Sequence, residues 1–244
     1  MAESSHYTDV AEVYETAWCY KSNGEFQHWL VDRIKALFPE GCKAAADVGC
    51  GTGNFSKLLQ DTSNTPVTCV EPSSEMAAKA AEYGMQVIVA DALAWGNGIV
   101  EPSFGVVLLK EVRHHFSDPA NVYGSLAKAL VPGGKIVSVT RPDDPIGYPF
   151  FEAARKSWRD GNLVSMETHQ EAMRAAGLNV SSREEAYRVN MPRAEWERLV
   201  RARFWSHFSR FSSQEVEDGL TELGLSDPVE FDDRLIFTVG EKPA

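Results

Sequence analysis

At 244 residues the chain is long enough for one large domain with a substantial core, and its 43% apolar and 24% charged residues exclude a disordered or fibrous protein. Its 35 acidic against 24 basic side chains give a formal charge of −11, which repels phosphate backbones and anionic lipid and argues against nucleic acid as a partner. The polar start MAESSHYTDV has no basic or apolar leader region, and no run approaches the ~18 apolar residues of a membrane span, so a cytoplasmic protein without membrane association is expected.

Taken in chain order, five apolar, β-branched runs fill the first 142 residues: AAADVGC (44–50), PVTCVEP (66–72), MQVIVAD (85–91), FGVVLLKEV (104–112) and KIVSVTRP (135–142). Between them NFSKLLQD (54–61), PSSEMAAKAAEY (72–83) and PANVYGSLAKAL (119–130) carry apolar residues at helical spacing, the last stopped by VPGGK. Near-continuous apolar strands alternating with helices predict an α/β protein with a doubly wound, mostly parallel sheet, because each crossover helix buries one face of the strands.

Farther on, 169–189 predicts a helix ended by Gly177 and then a strand, and 191–224 predicts two helices, with Pro192 in a first turn and Ser212 or Ser213 as an N-cap. RLIFTVGEK (234–242) predicts the closing strand of seven. Cys19, Cys42, Cys50 and Cys69 contain no C-x-x-C pair, so no metal site and no disulfide framework is expected, only reduced, mostly buried thiols.

Ligands of an open α/β sheet sit beyond the carboxyl ends of its strands, and there Asp47 is followed by Gly49, Gly51 and Gly53. Glycine permits φ > 0 and removes the Cβ, while the next helix offers free N–H groups, so a nucleotide-like ligand is expected. The dinucleotide fingerprint G-x-G-x-x-G would need glycine where Asn54 stands, and a carboxylate at Asp47 suits a cation better than a pyrophosphate.

On these residues the chain resembles the class I S-adenosylmethionine-dependent methyltransferases, most closely their type 11-like group, whose first motif is an acidic residue followed by G-x-G-x-G. Glu71 in CVEPSSEM, Asp91 in VIVADALAW and the turn Pro132-Gly133-Gly134 match three further motifs in the same order. The resemblance implies a Rossmann-like methyltransferase fold over residues 1–244 and S-adenosylmethionine as the cofactor. It also implies a helical lid at 1–30 with Tyr14 and Tyr20, and lid insertions at 142–165 and 191–228. It assigns cofactor binding to Asp47, Gly49, Gly51, Gly53, Asn54, Glu71, Pro72, Met76, Asp91, Ala92, Lys110 and Glu111. In that scheme Glu71 takes the ribose hydroxyls and Asp91 and Ala92 the adenine. Met76 lies against the nucleoside, and the backbone at Lys110 and Glu111 meets the methionine end.

Methyl transfer from a sulfonium needs the acceptor positioned, water excluded and, for an O–H or N–H acceptor, a proton removed. His114 and His115 follow the fourth strand and are the candidate bases, His115 preferred. Aromatic residues beside arginines in the two insertions suit a small acceptor with an apolar body and an anionic group, and Arg155, Trp158, Arg201 and Trp205 join Tyr20 as candidate substrate contacts. Ordinary helix packing explains the same spacing. Two other readings stay open from sequence: an NAD-dependent oxidoreductase, and a non-catalytic methyltransferase-like regulatory module. The oligomeric state is not legible.

Overall fold

A computed structural model describes Ala17, Cys19, Lys21 and residues 24–145, 147–161 and 164–244. Tyr14 and Tyr20, expected in an N-terminal lid, lie outside the described residues. Contacts divide the chain into two compact units, one of residues 27–140, 164–185 and 235–244, the other of residues 1–26, 141–163 and 186–234.

Helix α1 (Glu25–Lys35) precedes strand β1 (Ala45–Val48), α2 (Asn54–Ser63), β2 (Val67–Val70), α3 (Ser74–Glu82), β3 (Gln86–Ile88), α4 (Ala92–Asn97), β4 (Phe104–Lys110), α5 (Pro119–Ala129) and β5 (Leu130–Thr140). The chain continues through α6 (Glu152–Gly161), α7 (Met166–Ala175), β6 (Asn179–Met191), α8 (Arg193–Arg201), α9 (Ser213–Leu223) and β7 (Val229–Glu241). The seven strands form one sheet in the order β3-β2-β1-β4-β5-β7-β6. β1 to β5 run parallel, and β7 is antiparallel to β5. The doubly wound sheet expected from the apolar runs is therefore present, and its order reverses between β1 and β4, where a ligand crevice opens.

In the first unit the core fills the space between sheet and helices. Ala46, Val48, Val107 and Leu109 from the strands pack with Trp95, Tyr123 and Leu126 from α4 and α5. β1, β2 and the middle of β4 are buried throughout, which is why they read as unbroken apolar runs. The local punctuation follows side-chain chemistry. Ser73 and Asp118 cap α3 and α5, and Ser212 with Glu215 forms a capping box on α9. Pro192 stands one residue earlier than expected, at the N-cap of α8 and not inside its first turn.

Pro132-Gly133-Gly134 also differs from expectation. It lies within β5 as a register break, where Phe104 pairs with Leu130 but Val106 pairs with Lys135. Gly133 donates to the Lys242 carbonyl at 3.0 Å and Lys242 N donates back to Gly134 at 2.9 Å, so the motif continues a sheet ladder that its glycines alone would not reveal.

The second unit has an aromatic core. Phe150 lies with ring centroids 4.8 Å from Trp205, 5.6 Å from Trp196 and 5.3 Å from Phe208. Beside it runs a buried ion pair, in which Arg141 Nε and Nη2 donate to the two oxygens of Asp233 at 3.0 and 2.8 Å, joined by the Tyr148 hydroxyl.

Candidate active site

The expected cofactor residues gather at the carboxyl ends of β1, β2, β3 and β4, all within the first unit. Their geometry divides the three glycines. A Cβ on Gly49 (φ +78) would stand 2.3 Å from Val112 Cγ1, and one on Gly53 (φ +74) would stand 2.6 Å from Ala80 Cβ. These two glycines let the protein pack against itself. Gly51 (φ +59) has nothing within 4 Å of its Cβ position, so it is the member of the trio that leaves open space. Absence of a Cβ at Gly49 and Gly53 thus serves the protein's own packing as well.

Glu71 closes the loop from the neighbouring strand. It is 8% exposed, and its carboxylate accepts from the Gly51 amide at 2.9 Å and the Ser73 amide at 3.0 Å. Two backbone donors thus orient it while each oxygen keeps a lone pair for another donor.

Asp47 is buried at 1% exposure. Its Oδ2 accepts from the Ser56 hydroxyl of α2 at 2.6 Å, and its Oδ1 is buried with no hydrogen-bond partner. Burial pushes this carboxyl above its ordinary range, opposed by the Ser56 hydrogen bond and the nearby Lys110 charge and assisted by Glu71.

Helix α2 starts at Gly53, which has no side chain to cap it. Asn54 opens that helix, and Pro72 is exposed just after Glu71. Met76 on α3 is half-buried and outside the packed core. Asp91 is exposed and caps α4 by accepting from Ala94 N at 2.7 Å, with Ala92 half-buried beside it. That cap uses one of the two carboxylate oxygens.

At the end of β4, Lys110 lies over the Phe55 ring at 5.1 Å, and Glu111 holds a left-handed backbone with φ 57. A non-glycine residue kept in that region stores strain of order 1–3 kcal/mol, a cost that clusters at functional sites. Next to it the single turn Arg113–His115 presents two exposed histidines with ring centroids 4.0 Å apart. His114 sits in a densely walled hollow whose desolvation lowers its pKa, aided by the charges of His115, Arg113 and His169, though its exposure tempers the effect.

Sequence reasoning missed three residues here. Arg113 is buried at 2% exposure and donates to the Val164 carbonyl at 3.2 Å. His169 of α7 meets the Tyr123 hydroxyl at 3.3 Å. Ser56, three residues after Gly53, was visible only as a polar position on an otherwise apolar helical face. The expectation of mostly buried thiols holds in part: Cys19 and Cys69 are buried, whereas Cys42 and Cys50 are half-exposed.

The expected acceptor residues belong to the second unit. Trp205 is buried in its aromatic core, and half-buried Trp158 donates to the Pro142 carbonyl at 3.1 Å. Arg201 is exposed, and its fork is engaged by Glu217 at 2.7 and 3.0 Å, with Glu197 beyond. Arg155 has a buried Nε with no hydrogen-bond partner.

The residues around the loop fit a nucleoside carrying a cationic amino-acid end. Open space lies over Gly51, an uncapped helix start follows it, and Asp47 holds a buried oxygen that no described residue satisfies. Residues 46–138 match the family described as a methyltransferase domain. The matched segment runs from β1 into β5 and contains the glycine loop, Glu71 and Asp91.

A ubiquinone biosynthesis O-methyltransferase of Caulobacter sp. strain K31 is 36% identical over 103 residues, which is 38% of this chain and 39% of that protein. A probable tRNA methyltransferase 9B of Bos taurus is 28% identical over 133 residues, 52% of this chain and 28% of that one. The matched regions thus span well under two thirds of these relatives. Phosphoethanolamine N-methyltransferase 2 of Haemonchus contortus, solved with phosphomonomethylethanolamine and S-adenosylhomocysteine, superposes with a TM-score of 0.63 at 20% identity. That likeness covers 99% of this chain and 59% of the other, and it speaks for the fold. Among the described residues no helix is long and apolar enough to cross a membrane.

Proposed function

We propose that this chain transfers a methyl group from S-adenosylmethionine to a small-molecule acceptor. The reading is carried by the Glu71 carboxylate, oriented by two backbone amides at the edge of the open glycine. Such a carboxylate suits the paired hydroxyls of a ribose. Asp91 and Ala92 hold the adenine, Met76 lies against the nucleoside, and Asp47 Oδ1 receives the cationic amino group. Lys110 and Glu111 border the methionine end. The bound cofactor supplies an electrophilic methyl group on sulfur; the protein's part is to orient the acceptor, exclude water and take up a proton.

His115 is assigned that proton, since the depressed basicity of His114 makes it the poorer acceptor. His115→Ala is expected to slow transfer to an O–H or N–H acceptor by about 10²- to 10⁴-fold, with cofactor binding unchanged. Full turnover in that variant would remove the assignment.

The finer reading gives the acceptor an anionic group, and the Arg155 guanidinium, with a buried Nε that has no hydrogen-bond partner among the described residues, supports it. Acceptors assayed beside their neutral analogues test this, and equal rates for each pair would reject it.

Calorimetry tests the cofactor reading. Glu71→Ala removes a charged hydrogen-bonding partner, expected to cost about 1.5–3 kcal/mol, so the Kd for S-adenosylhomocysteine should rise roughly ten- to a hundredfold. Unchanged affinity would discard the role of Glu71, and absence of binding by the unmodified chain would discard the function.

A further inference from the structure

The cofactor reading leaves one buried group in the first unit unexplained. Ser56 is fully buried on the inner face of α2, and its hydroxyl donates to Asp47 Oδ2 at 2.6 Å. A serine inside a helix normally competes for the backbone or faces solvent, and this one does neither. Its bond leaves Oδ1 as the single oxygen of Asp47 with no partner in the protein.

We propose that Ser56 is a positioning residue of the cofactor site, occupying one oxygen of Asp47 so that the other is turned to the ammonium group of the methyl donor. The inference rests on the cofactor reading above, and it concerns a residue that itself need not touch the ligand. The physical reasoning is that a buried carboxylate binds a cation only while it is ionised, and burial opposes ionisation. Groups from every side act on Asp47. Ser56 from α2 and Lys110 from the end of β4 favour its charged form, and Glu71 from the end of β2 disfavours it. The thiols of Cys50 and Cys69 lie in the same electrostatic neighbourhood. Among these groups Ser56 alone donates a hydrogen bond to the carboxylate.

The sign of the effect follows. A carboxyl whose pKa is raised in the folded state gains protons as pH falls, so affinity for a cationic ligand strengthens as pH rises through that pKa. Without the Ser56 hydroxyl the pKa moves higher still, and the rise in affinity moves with it.

The test is calorimetric titration of S-adenosylhomocysteine into the full chain between about pH 5 and 7.5, below the α-amino titration near 8. Ser56→Ala is expected to displace the affinity curve upward by roughly one to two pH units. Ser56→Cys, nearly isosteric and a weak donor, measured in reductant, is expected to give a smaller displacement in the same direction. It serves if the alanine variant does not fold. In Asp47→Asn, whose amide does not titrate, adding Ser56→Ala should change Kd less than about twofold, because the two residues act as one unit.

A loss of affinity equal at every pH, or an effect that adds in full to Asp47→Asn, would overturn the inference and leave Ser56 a packing residue. Absence of binding by the unmodified chain at any pH would overturn the cofactor reading with it. Binding by the unmodified chain without the displacement would overturn this inference alone.

Discussion

Asp233→Ala is expected to destabilise the protein by about 3–5 kcal/mol, the usual cost of breaking a buried ion pair from one side. The Arg141 side chain is 7% exposed and that of Asp233 is fully buried. Alanine would leave the guanidinium in an aromatic interior without the Asp233 carboxylate and the Tyr148 hydroxyl without that acceptor. The same burial and the Asp233 charge push the Tyr148 phenol well above its ordinary pKa, so that hydroxyl stays a donor throughout the accessible range.

At about 2–4 °C per kcal/mol for a chain of this size, the melting midpoint should fall by roughly 6–20 °C. The exposed Arg201–Glu217 pair is the natural comparison, because solvent screens it and Glu217→Ala should leave the midpoint unchanged. Equal midpoints for Asp233→Ala and the unmodified protein would show that the pair is a neutral feature of the unit.

The three loop glycines are expected to separate into two classes when each is replaced by alanine. At Gly49 and Gly53 an added methyl meets Val112 and Ala80, the latter at 2.6 Å from Cβ and 2.9 Å from Cα, which is backbone and cannot step aside. Left-handed backbone costs alanine about 1–2 kcal/mol and overpacking about 1–3 more, so each variant should lose roughly 2–5 kcal/mol of stability. Gly51→Ala incurs the backbone cost alone, about 1–2 kcal/mol. Its methyl instead enters the open space, so the Kd for S-adenosylhomocysteine should weaken more than tenfold. Denaturant unfolding of the apo proteins beside calorimetry distinguishes the classes. Greatest destabilisation at Gly51, or unchanged affinity in Gly51→Ala, would reverse the assignment.

What the amino-acid sequence determined by itself is the layering and the ligand class. Buried strands must be apolar on both faces, so β1, β2 and β4 announced themselves as unbroken runs, and the start of α9 announced itself through Ser212. The glycine loop and Glu71 were legible because a ligand at a strand end dictates residue type at fixed spacing.

The tertiary structure alone decided what each of those residues touches. Gly49 and Gly53 became packing positions because Val112 and Ala80, 63 and 27 residues away in sequence, approach them from the turn after β4 and from α3. The Arg141–Asp233 pair joins residues 92 apart. Pro132-Gly133-Gly134 became a strand bulge only because Lys242 pairs with it. Ser56 acquired its role only when the first turn of α2 brought its hydroxyl under β1. Periodicity reports which face of an element is buried, since that follows from local geometry, but partners across the core are chosen by close packing, and no local pattern encodes them.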